Sequence, residues 1–287
     1  ALETLAFNAA QGARQADGRA LAYLCADDRL DARASRPDSY SWLSGTHGRY
    51  KLSPTHDDVA CCCNPNALRL WPHYLQAMWL AQDGPGESGQ PPALVAMAYG
   101  PCELSTTVGG VAVQVVQDTR YPFEDELRFA VTVAKPVRFA LRLRRPGWAR
   151  GMHLHGLAEG GAALCADRRT DPGADLCADL CADSDGFVTL DRRWSGRCEF
   201  SLRIDVGVRA QPYPGGEIAV LRGPLQFVWP IAHRARTLRG HALPGFHDSE
   251  LWPSDAVALA TTPVLDPTRP DLGLAPRWQV GADTDDP

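Results

Sequence analysis

The chain has 287 residues, of which 45% are hydrophobic and 22% charged, with a formal net charge of −5. No stretch approaches the ~18 consecutive apolar residues of a membrane span, and arginine is dispersed along the chain, so a soluble protein is predicted whose partner is neither a membrane nor a nucleic acid. Nine cysteines without regular spacing are atypical of a secreted disulfide framework and favour a reducing, cytoplasmic compartment. The pattern indicates no particular oligomeric state.

The first predicted element is a helix from Leu2 to Arg14, where apolar and small residues recur at helical spacing. The stretch ALAYLCADDRL at 20–30 favours a short strand, and the Ser-, Pro- and Gly-rich segment 31–58 favours a long structured loop. The sequence begins without Met and inside a helical pattern, so we expect further residues to precede Ala1.

A second helix is predicted from Asn66 to Ala81, with Asn64 as its N-cap and Pro65 at its first position. Pro72 should bend this helix or mark its true start. Its predicted apolar stripe consists of Ala67, Leu68, Trp71, Tyr74, Leu75, Met78 and Trp79. The Gly- and Pro-rich segment 82–92 that follows is typical of a domain boundary.

Beyond this boundary the hydrophobic period changes from 3.6 to 2, which indicates strands. Gly109-Gly110 and Lys135-Pro136 are the predicted turns between them. The predicted strands are 93–99, 111–117, 127–133, 137–143, 187–190, 198–205 and 217–223. Because neighbouring strands each carry one apolar face, an antiparallel β-sandwich is expected, and Trp148 and Trp194 are predicted to be core residues rather than sugar platforms.

A run of three cysteines stands out at 58–66, which read DVACCCNPN. Adjacent cysteines are poor disulfide partners, because the bond needs a Cα separation and torsion that neighbouring residues reach only under strain. The residues alone leave two interpretations: thiolates that serve as metal ligand or nucleophile, or three small buried hydrophobic side chains. Just upstream, His56 is predicted to be a solvated side chain, with lining of a ligand site as the less favoured alternative. Asp57 and Asp58 are predicted to be capping or loop-turn residues.

Several blocks follow one another along the chain: FNA followed by DGRALAYLC, then ACCCNPNALR, VQDTRYPFEDELRFAV, RLRRPGW, DGFVTLDRRWSGRCEFSLRI and EIAVLRGPLQFV. In this order they resemble the C-terminal part of glycoside hydrolase family 127, the β-L-arabinofuranosidase type. The resemblance implies an α+β multidomain fold in which the C-terminal helices of an (α/α)6 barrel precede antiparallel β-sandwich domains. It divides the chain into an incomplete barrel end at 1–85, a β-sandwich domain at 86–209 and a second β-rich segment at 210–287.

The resemblance also implies a site. Anchoring the family's Cys-Cys-x-Pro-Asn block on Pro65-Asn66 makes Cys62 the nucleophile of a retaining glycosidase and Cys62 with Cys63 two ligands of zinc. The family's acid/base Glu and its other zinc ligands, in a Glu-x-Cys motif, lie upstream of the cysteines. No Glu-x-Cys occurs in this sequence, so the remaining ligands are expected before residue 1 and the chain alone is expected to lack a complete site.

Three alternatives stay open at this point. The zinc pair could shift to Cys61 and Cys62, because Cys61 is an addition to the family block. The chain could instead be a non-catalytic carbohydrate-binding or structural β-sandwich module, which the missing upstream ligands favour. A thiol redox protein is disfavoured, since the sequence contains no Cys-x-x-Cys.

Overall fold

In this computed structural model the described residues are 2–12, 14–24, 31–33, 50–56, 63–84, 91–157, 178–179, 182–212, 218–228 and 232–254. The chain divides into two compact units. The first unit consists of Ala1–Trp71, Arg209–Leu221 and Leu225–Pro287, and the second of Pro72–Val208 and Arg222–Pro224.

The α-helical and π-helical structure of the described residues is confined to two places. The N-terminal helix starts as α1 (Leu2–Thr4), widens to a π-helical stretch at Leu5–Ala9 and ends as α2 (Ala10–Gly12). A longer helix, α3, spans Cys63–Ala77. Each agrees within a few residues with a helix that apolar spacing predicts.

Strands make up most of the described chain. They are β1 (Leu21–Ala22), β2 (Leu52–Ser53), β3 (Trp79–Gln82), β4 (Ala93–Ala96), β5 (Cys102–Val108), β6 (Val111–Thr119), β7 (Glu126–Arg144), β8 (Ala149–His155), β9 (Ala178–Asp179), β10 (Phe187–Val206), β11 (Val208–Pro212), β12 (Ile218–Arg222), β13 (Leu225–Gln226), β14 (His233–Gly240) and β15 (His247–Pro253). The predicted period-2 segments overlap β4, β6, β7, β10 and β12, although 93–99 and 217–223 extend beyond β4 and β12.

The first unit contains a four-stranded antiparallel sheet in the order β1-β2-β15-β14. Leu21 pairs with Ser53 in β1 and β2, and Leu52 pairs with Ser249 in β2 and β15. This sheet brings residues from the start of the chain next to a hairpin some two hundred residues later. A separate sheet has the order β11-β12-β13.

The second unit is built on the long strands β7 and β10, which pair antiparallel along almost their whole length. The sheet has the order β3-β4-β7-β10-β8-β9, and β6 adds a further pairing to β7 and to β5. All these pairings are antiparallel except that of β4 with β7.

The core of the second unit lies on the apolar faces of β7 and β10. Phe129 stacks on Phe200 with ring centroids 5.0 Å apart, and Phe139 stacks on Trp194 at 5.4 Å. The Trp194 indole Nε1 donates to the Phe139 carbonyl oxygen at 3.1 Å, so this buried ring also satisfies its one polar group. The prediction that Trp194 is a core residue is confirmed.

One predicted turn is wrong. Lys135 and Pro136 lie inside β7, at the point where its register with β10 shifts between Trp194 and Gly196. Proline cannot donate to a β ladder, and here it occupies an exposed position at a bulge where the ladder is interrupted. The strand therefore continues where the sequence pattern suggested a break.

The predicted fold class, with the last helices of an (α/α)6 barrel at 1–85, is wrong. Among the described residues of that range, β1 and β2 pair with each other and β2 with β15. On α3 the leucines Leu68 and Leu75 are 56% and 58% exposed, so no described helix packs over them as a barrel neighbour would. The expectation came from the family resemblance, whereas the residues from 14 to 56 carry no helical period.

None of the helices in the described part of the chain is long and apolar enough to span a membrane.

Candidate active site

The cysteine block lies at the start of α3. Cys63 is the first residue of this helix, one residue before the predicted N-cap Asn64, which is within the usual variation of helix ends. Cys61 and Cys62 lie outside the described residues, as do Asp57 and Asp58 and the side chain of Cys63. What the structure establishes is that a 15-residue helix begins directly after Cys62.

The second half of α3 is fixed by two buried side chains. Tyr74 and Met78 are almost fully buried, and the Tyr74 hydroxyl donates to the Tyr99 carbonyl oxygen at 2.9 Å. Pro72 lies inside the helix on its exposed side. The predicted apolar stripe is therefore buried only in part, since Leu68 and Leu75 remain exposed.

Two blocks of the family resemblance meet in the first unit. Asn8, in the FNA block, donates through Nδ2 to the Thr4 carbonyl oxygen at 2.6 Å and accepts the Gln226 amide at 2.8 Å through Oδ1. Phe7 lies against Trp71 of α3 with ring centroids 5.9 Å apart. These contacts join the N-terminal helix to α3 and to β13.

The segment just upstream of the cysteines is anchored by Ser53 and His56. The Ser53 hydroxyl accepts hydrogen bonds from the backbone amides of Thr55 at 3.3 Å and His56 at 3.0 Å, the arrangement found in Ser/Thr turns. His56 is fully buried with a φ of +45°, a backbone conformation that is uncommon for a residue with a side chain. Its Nε2 donates to the Leu21 carbonyl oxygen at 2.8 Å, so the prediction of a solvated His56 is wrong.

A buried carboxylate, Asp248, lies at the centre of this anchor. Ser53 Oγ donates to its Oδ1 at 2.6 Å, His241 Nε2 lies 2.8 Å from the same oxygen, and Lys51 Nζ is 3.0 Å from Oδ2. Arg239 adds a more distant charge at 3.7 Å. Burial alone would raise the pKa of Asp248, but the hydrogen bonds from Ser53, His241 and Lys51 and the charge of Lys51 lower it to about 2.

This geometry determines what the cluster can do. An aspartate with a pKa of about 2 is ionised at neutral pH, so Asp248 cannot serve as a general acid there. Because the carboxylate accepts hydrogen bonds only, His241 Nε2 carries the proton it shares with Asp248. The cluster ties β2, and with it the segment leading to the cysteines, to the hairpin β14–β15.

Another thiol, that of Cys102, lacks the properties of an activated nucleophile. Cys102 is half-buried, and the Trp79 indole Nε1 donates to its sulfur at 3.2 Å. Burial raises the pKa of the Cys102 thiol, while the hydrogen bond from Trp79 lowers it to a smaller extent. Cys102 is therefore a protonated thiol at neutral pH, unlike an activated one.

Sequence patterns did not indicate the Asp248 cluster. Ser53 and Asp248 are 195 positions apart, and neither lies in a motif with characteristic spacing. The only local signal is a charged residue inside the strand HDSELWP, where a buried aspartate requires cationic or hydroxyl partners. The identity of those partners depends on the pairing of β2 with β15, which no local pattern predicts.

Comparison with known proteins finds one family profile that matches part of the chain. Residues 93–206 match the sequence profile described as Beta-L-arabinofuranosidase, GH127 middle domain. No curated protein matches the chain.

Three solved structures have a similar fold, and two of them are described as GH127 proteins. Ara127N-Se, a GH127 beta-L-arabinofuranosidase from Geobacillus stearothermophilus T6, is 22% identical with a TM-score of 0.55, and the match covers 78% of this chain and 31% of that one. A protein described as a glycoside hydrolase is 21% identical with a TM-score of 0.53, covering 78% and 32%. The GH127 beta-arabinofuranosidase BT3674 is 16% identical with a TM-score of 0.52, covering 90% and 46%.

The chain thus spans from about a third to just under half of the length of these structures. The predicted resemblance to glycoside hydrolase family 127 is confirmed.

Proposed function

We propose that the chain is part of a glycoside hydrolase acting on β-L-arabinofuranosides or related furanosides, because residues 93–206 match the profile of the GH127 middle domain. The observation that carries the proposal is this match, found on the same chain as a Cys-Cys-x-Pro-Asn block that ends at Asn66. The names of two similar structures, which describe arabinofuranosidases, support the same substrate class.

In the proposed reaction Cys62 is the nucleophile. Its thiolate attacks the anomeric carbon, the glycosidic C–O bond breaks, and a carboxylic acid protonates the leaving oxygen. Water then hydrolyses the thioglycosyl intermediate, which retains the configuration at the anomeric carbon. The start of α3 supports this role, because the positive end of a helix dipole lowers the pKa of a thiol beside it. No described residue is assigned as the acid.

Zinc is the metal that the family resemblance implies, and the donor chemistry of this chain fits it in part. Cys62 and Cys63 would supply two thiolates, which is half of a tetrahedral set. When bound, zinc would keep these thiols deprotonated at neutral pH. Among the described residues no three His, Cys, Asp or Glu side chains form a further metal group, so the other ligands are not assigned.

The experiment that tests the proposal compares two cysteines within the same chain. Alkylation by iodoacetamide is followed by mass spectrometry of each cysteine peptide between pH 5 and 9, with and without a chelator. At pH 7 we expect Cys62 to react at least about tenfold faster than Cys102, since the thiolate is the reactive form. Equal rates, with both thiols titrating above pH 8, would overturn the assignment of Cys62.

Zinc content distinguishes the two possible registers of the metal pair. We expect Cys62→Ala and Cys63→Ala to lower the bound zinc of the purified chain, and Cys61→Ala to leave it unchanged. If Cys61→Ala lowers it and Cys63→Ala does not, the ligand pair is Cys61 and Cys62. A chain that binds zinc equally well in all three variants would contradict the proposed site.

A second candidate function is a non-catalytic carbohydrate-binding or structural module. One observation favours it: the described residues form a mostly β structure. A chain that is purified without zinc and whose Cys62 reacts no faster than Cys102 would support this module over the hydrolase.

A further inference from the structure

One buried side chain of β6, Gln117, is polar at a position where its neighbours are apolar. Val113, Val115 and Gln117 alternate onto the same buried face of the strand, and Gln117 is only 1% exposed. In the register of the sheet it lies between Cys102 of β5 and Phe129 of β7. A primary amide thus occupies a position where the period-2 pattern predicts an apolar side chain.

The amide of Gln117 is not paired within the described part of the chain. Its Oε1 and Nε2 atoms are both buried, and neither forms a hydrogen bond with a described residue. A glutamine amide carries two N–H donors and an acceptor oxygen. Burying these groups unpaired disfavours the folded state, and nearly all buried polar groups in proteins are paired with protein atoms or with ordered water.

A second polar group, the thiol of Cys102, lies next to this amide. Residues directly opposite in an antiparallel pair share a face, so Cys102 and Gln117 are neighbours on the same side of the sheet. The half-buried Cys102 sulfur accepts the Trp79 indole Nε1 at 3.2 Å. Its S–H group is a weak donor to which the described residues offer no acceptor. Donors and an acceptor without protein partners therefore lie side by side.

The surroundings determine what can pair with these groups. Leu127 and Phe129 are almost fully buried on the neighbouring strand, and Phe129 stacks on Phe200 with ring centroids 5.0 Å apart. The donor set carries no charge, since it consists of a neutral amide and a protonated thiol, and this chemistry does not favour a metal ion. A water molecule is small and neutral, and it both donates and accepts hydrogen bonds.

We propose that the side-chain amide of Gln117 and the thiol of Cys102 bind a buried, long-lived water molecule on the inner face of β5 and β6. The water accepts a hydrogen bond from the Gln117 NH₂ or the Cys102 S–H and donates to Gln117 Oε1. Buried waters typically make about three hydrogen bonds to polar groups that the protein leaves unpaired. The inference concerns the sheet of the second unit and goes beyond the proposed hydrolase reaction.

The first test counts long-lived internal waters by ¹⁷O magnetic relaxation dispersion of the purified chain. Gln117→Met replaces the amide by an apolar side chain of similar length, and we expect it to lose about one such water. Gln114→Met is the matched control, because Gln114 lies on the opposite face of β6 and its amide donates to Glu103 at 2.6 Å. This control should lose none. An unchanged number of long-lived waters in Gln117→Met would overturn the proposal.

Thermal unfolding of the same variants separates a hydrated amide from an unpaired one. If water pairs the amide, Gln117→Met removes both partners together, and the unfolding midpoint should stay within about 2 °C of that of the unchanged chain. If the amide were unpaired, the same variant would remove an unfavourable buried group, and the midpoint would rise by about 4 °C or more. A rise of that size would contradict the proposed water.

A measurement on the unchanged chain does not depend on how the variants fold. In the isotope-labelled chain the side-chain NH₂ of Gln117 should show a nuclear Overhauser contact to water although it is buried. A resolved Gln117 NH₂ signal without that contact would overturn the inference. Neither measurement involves Cys62 or zinc, so the proposed function can fail while the buried water is confirmed, and the reverse.

Discussion

The β7–β10 pair of the second unit and the Asp248 cluster of the first unit stabilise the chain by different means. Along β7 and β10 the buried groups are aromatic and aliphatic, and Phe139 and Trp194 add stacking to area burial. Around Asp248 the buried groups are charged, and their stability depends on a complete set of partners from Lys51, Ser53 and His241. The stability lost from an apolar core grows with the number of atoms removed, whereas removing one charge from a buried ionic cluster destabilises it out of proportion to the atoms removed.

The largest expected effect comes from the apolar region. Trp194→Ala removes a fully buried indole and its hydrogen bond to the Phe139 carbonyl, and we expect it to cost about 4 kcal/mol of unfolding free energy. Amide hydrogen exchange of peptides from β7 and β10 would measure the loss within this region. Arg193→Ala, next to it but exposed, should stay within about 0.5 kcal/mol. Equal losses for the two variants would mean that Trp194 does not support the core.

These two regions also differ in what could be predicted from the sequence. Leu127, Phe129 and Val131 alternate, and period 2 alone predicts that they share a buried face, which they do. The buried state of His56 and the partners of Asp248 follow from the pairing of β2 with β15, which joins residues about 200 positions apart. Because that pairing has no local signature, neither could be predicted.

The candidate site was likewise predictable only where the sequence carries a local pattern. The sequence predicted a helix start beside the cysteines, and α3 begins at Cys63. The end of a helical barrel was also predicted around the cysteines, and this prediction is wrong. It was based on the family resemblance, whereas the residues from 14 to 56 have no helical period. The role of Cys62 stays a prediction, since this residue lies outside the described residues.

The next largest effect is expected in the charged cluster. Asp248→Asn removes the charge that faces Lys51 Nζ at 3.0 Å, and Lys51 is itself mostly buried. Removing one charge of a buried ionic cluster is strongly destabilising, so we expect a loss of about 3 kcal/mol. Hydrogen exchange of peptides from β14 and β15 would report it.

Asp191→Asn is the control for this variant. Its partner Arg138 is 69% exposed, and such surface pairs contribute about 0 to 1 kcal/mol. If Asp248→Asn costs no more than Asp191→Asn, the Asp248 cluster does not behave as a buried ion pair.

The pH dependence of stability should follow the lowered pKa of Asp248. Its pKa in the folded chain is about 2, below the value of about 4 for an unfolded aspartate, so ionised Asp248 favours the folded state. This contribution is fully present above about pH 5 and is lost as the pH falls through 4 towards 2. Asp248→Asn lacks it. The stability difference between the unchanged chain and Asp248→Asn should therefore narrow by about 2 kcal/mol between pH 5 and 2. A constant difference over that range would contradict the pKa.

The smallest expected effect measures the contribution of one hydrogen bond within the Asp248 cluster. Ser53→Ala removes the donor to Asp248 Oδ1 and the acceptor of the Thr55 and His56 amides, but leaves Asp248 ionised beside Lys51. We expect a loss of about 1.5 kcal/mol, the size of one hydrogen bond to a charged group, measured by exchange in β14 and β15. Ser105→Ala, on an exposed position of β5, should change nothing measurable. A loss for Ser53→Ala as large as that for Asp248→Asn would show that the hydroxyl, rather than the lysine, is the partner on which the buried carboxylate depends.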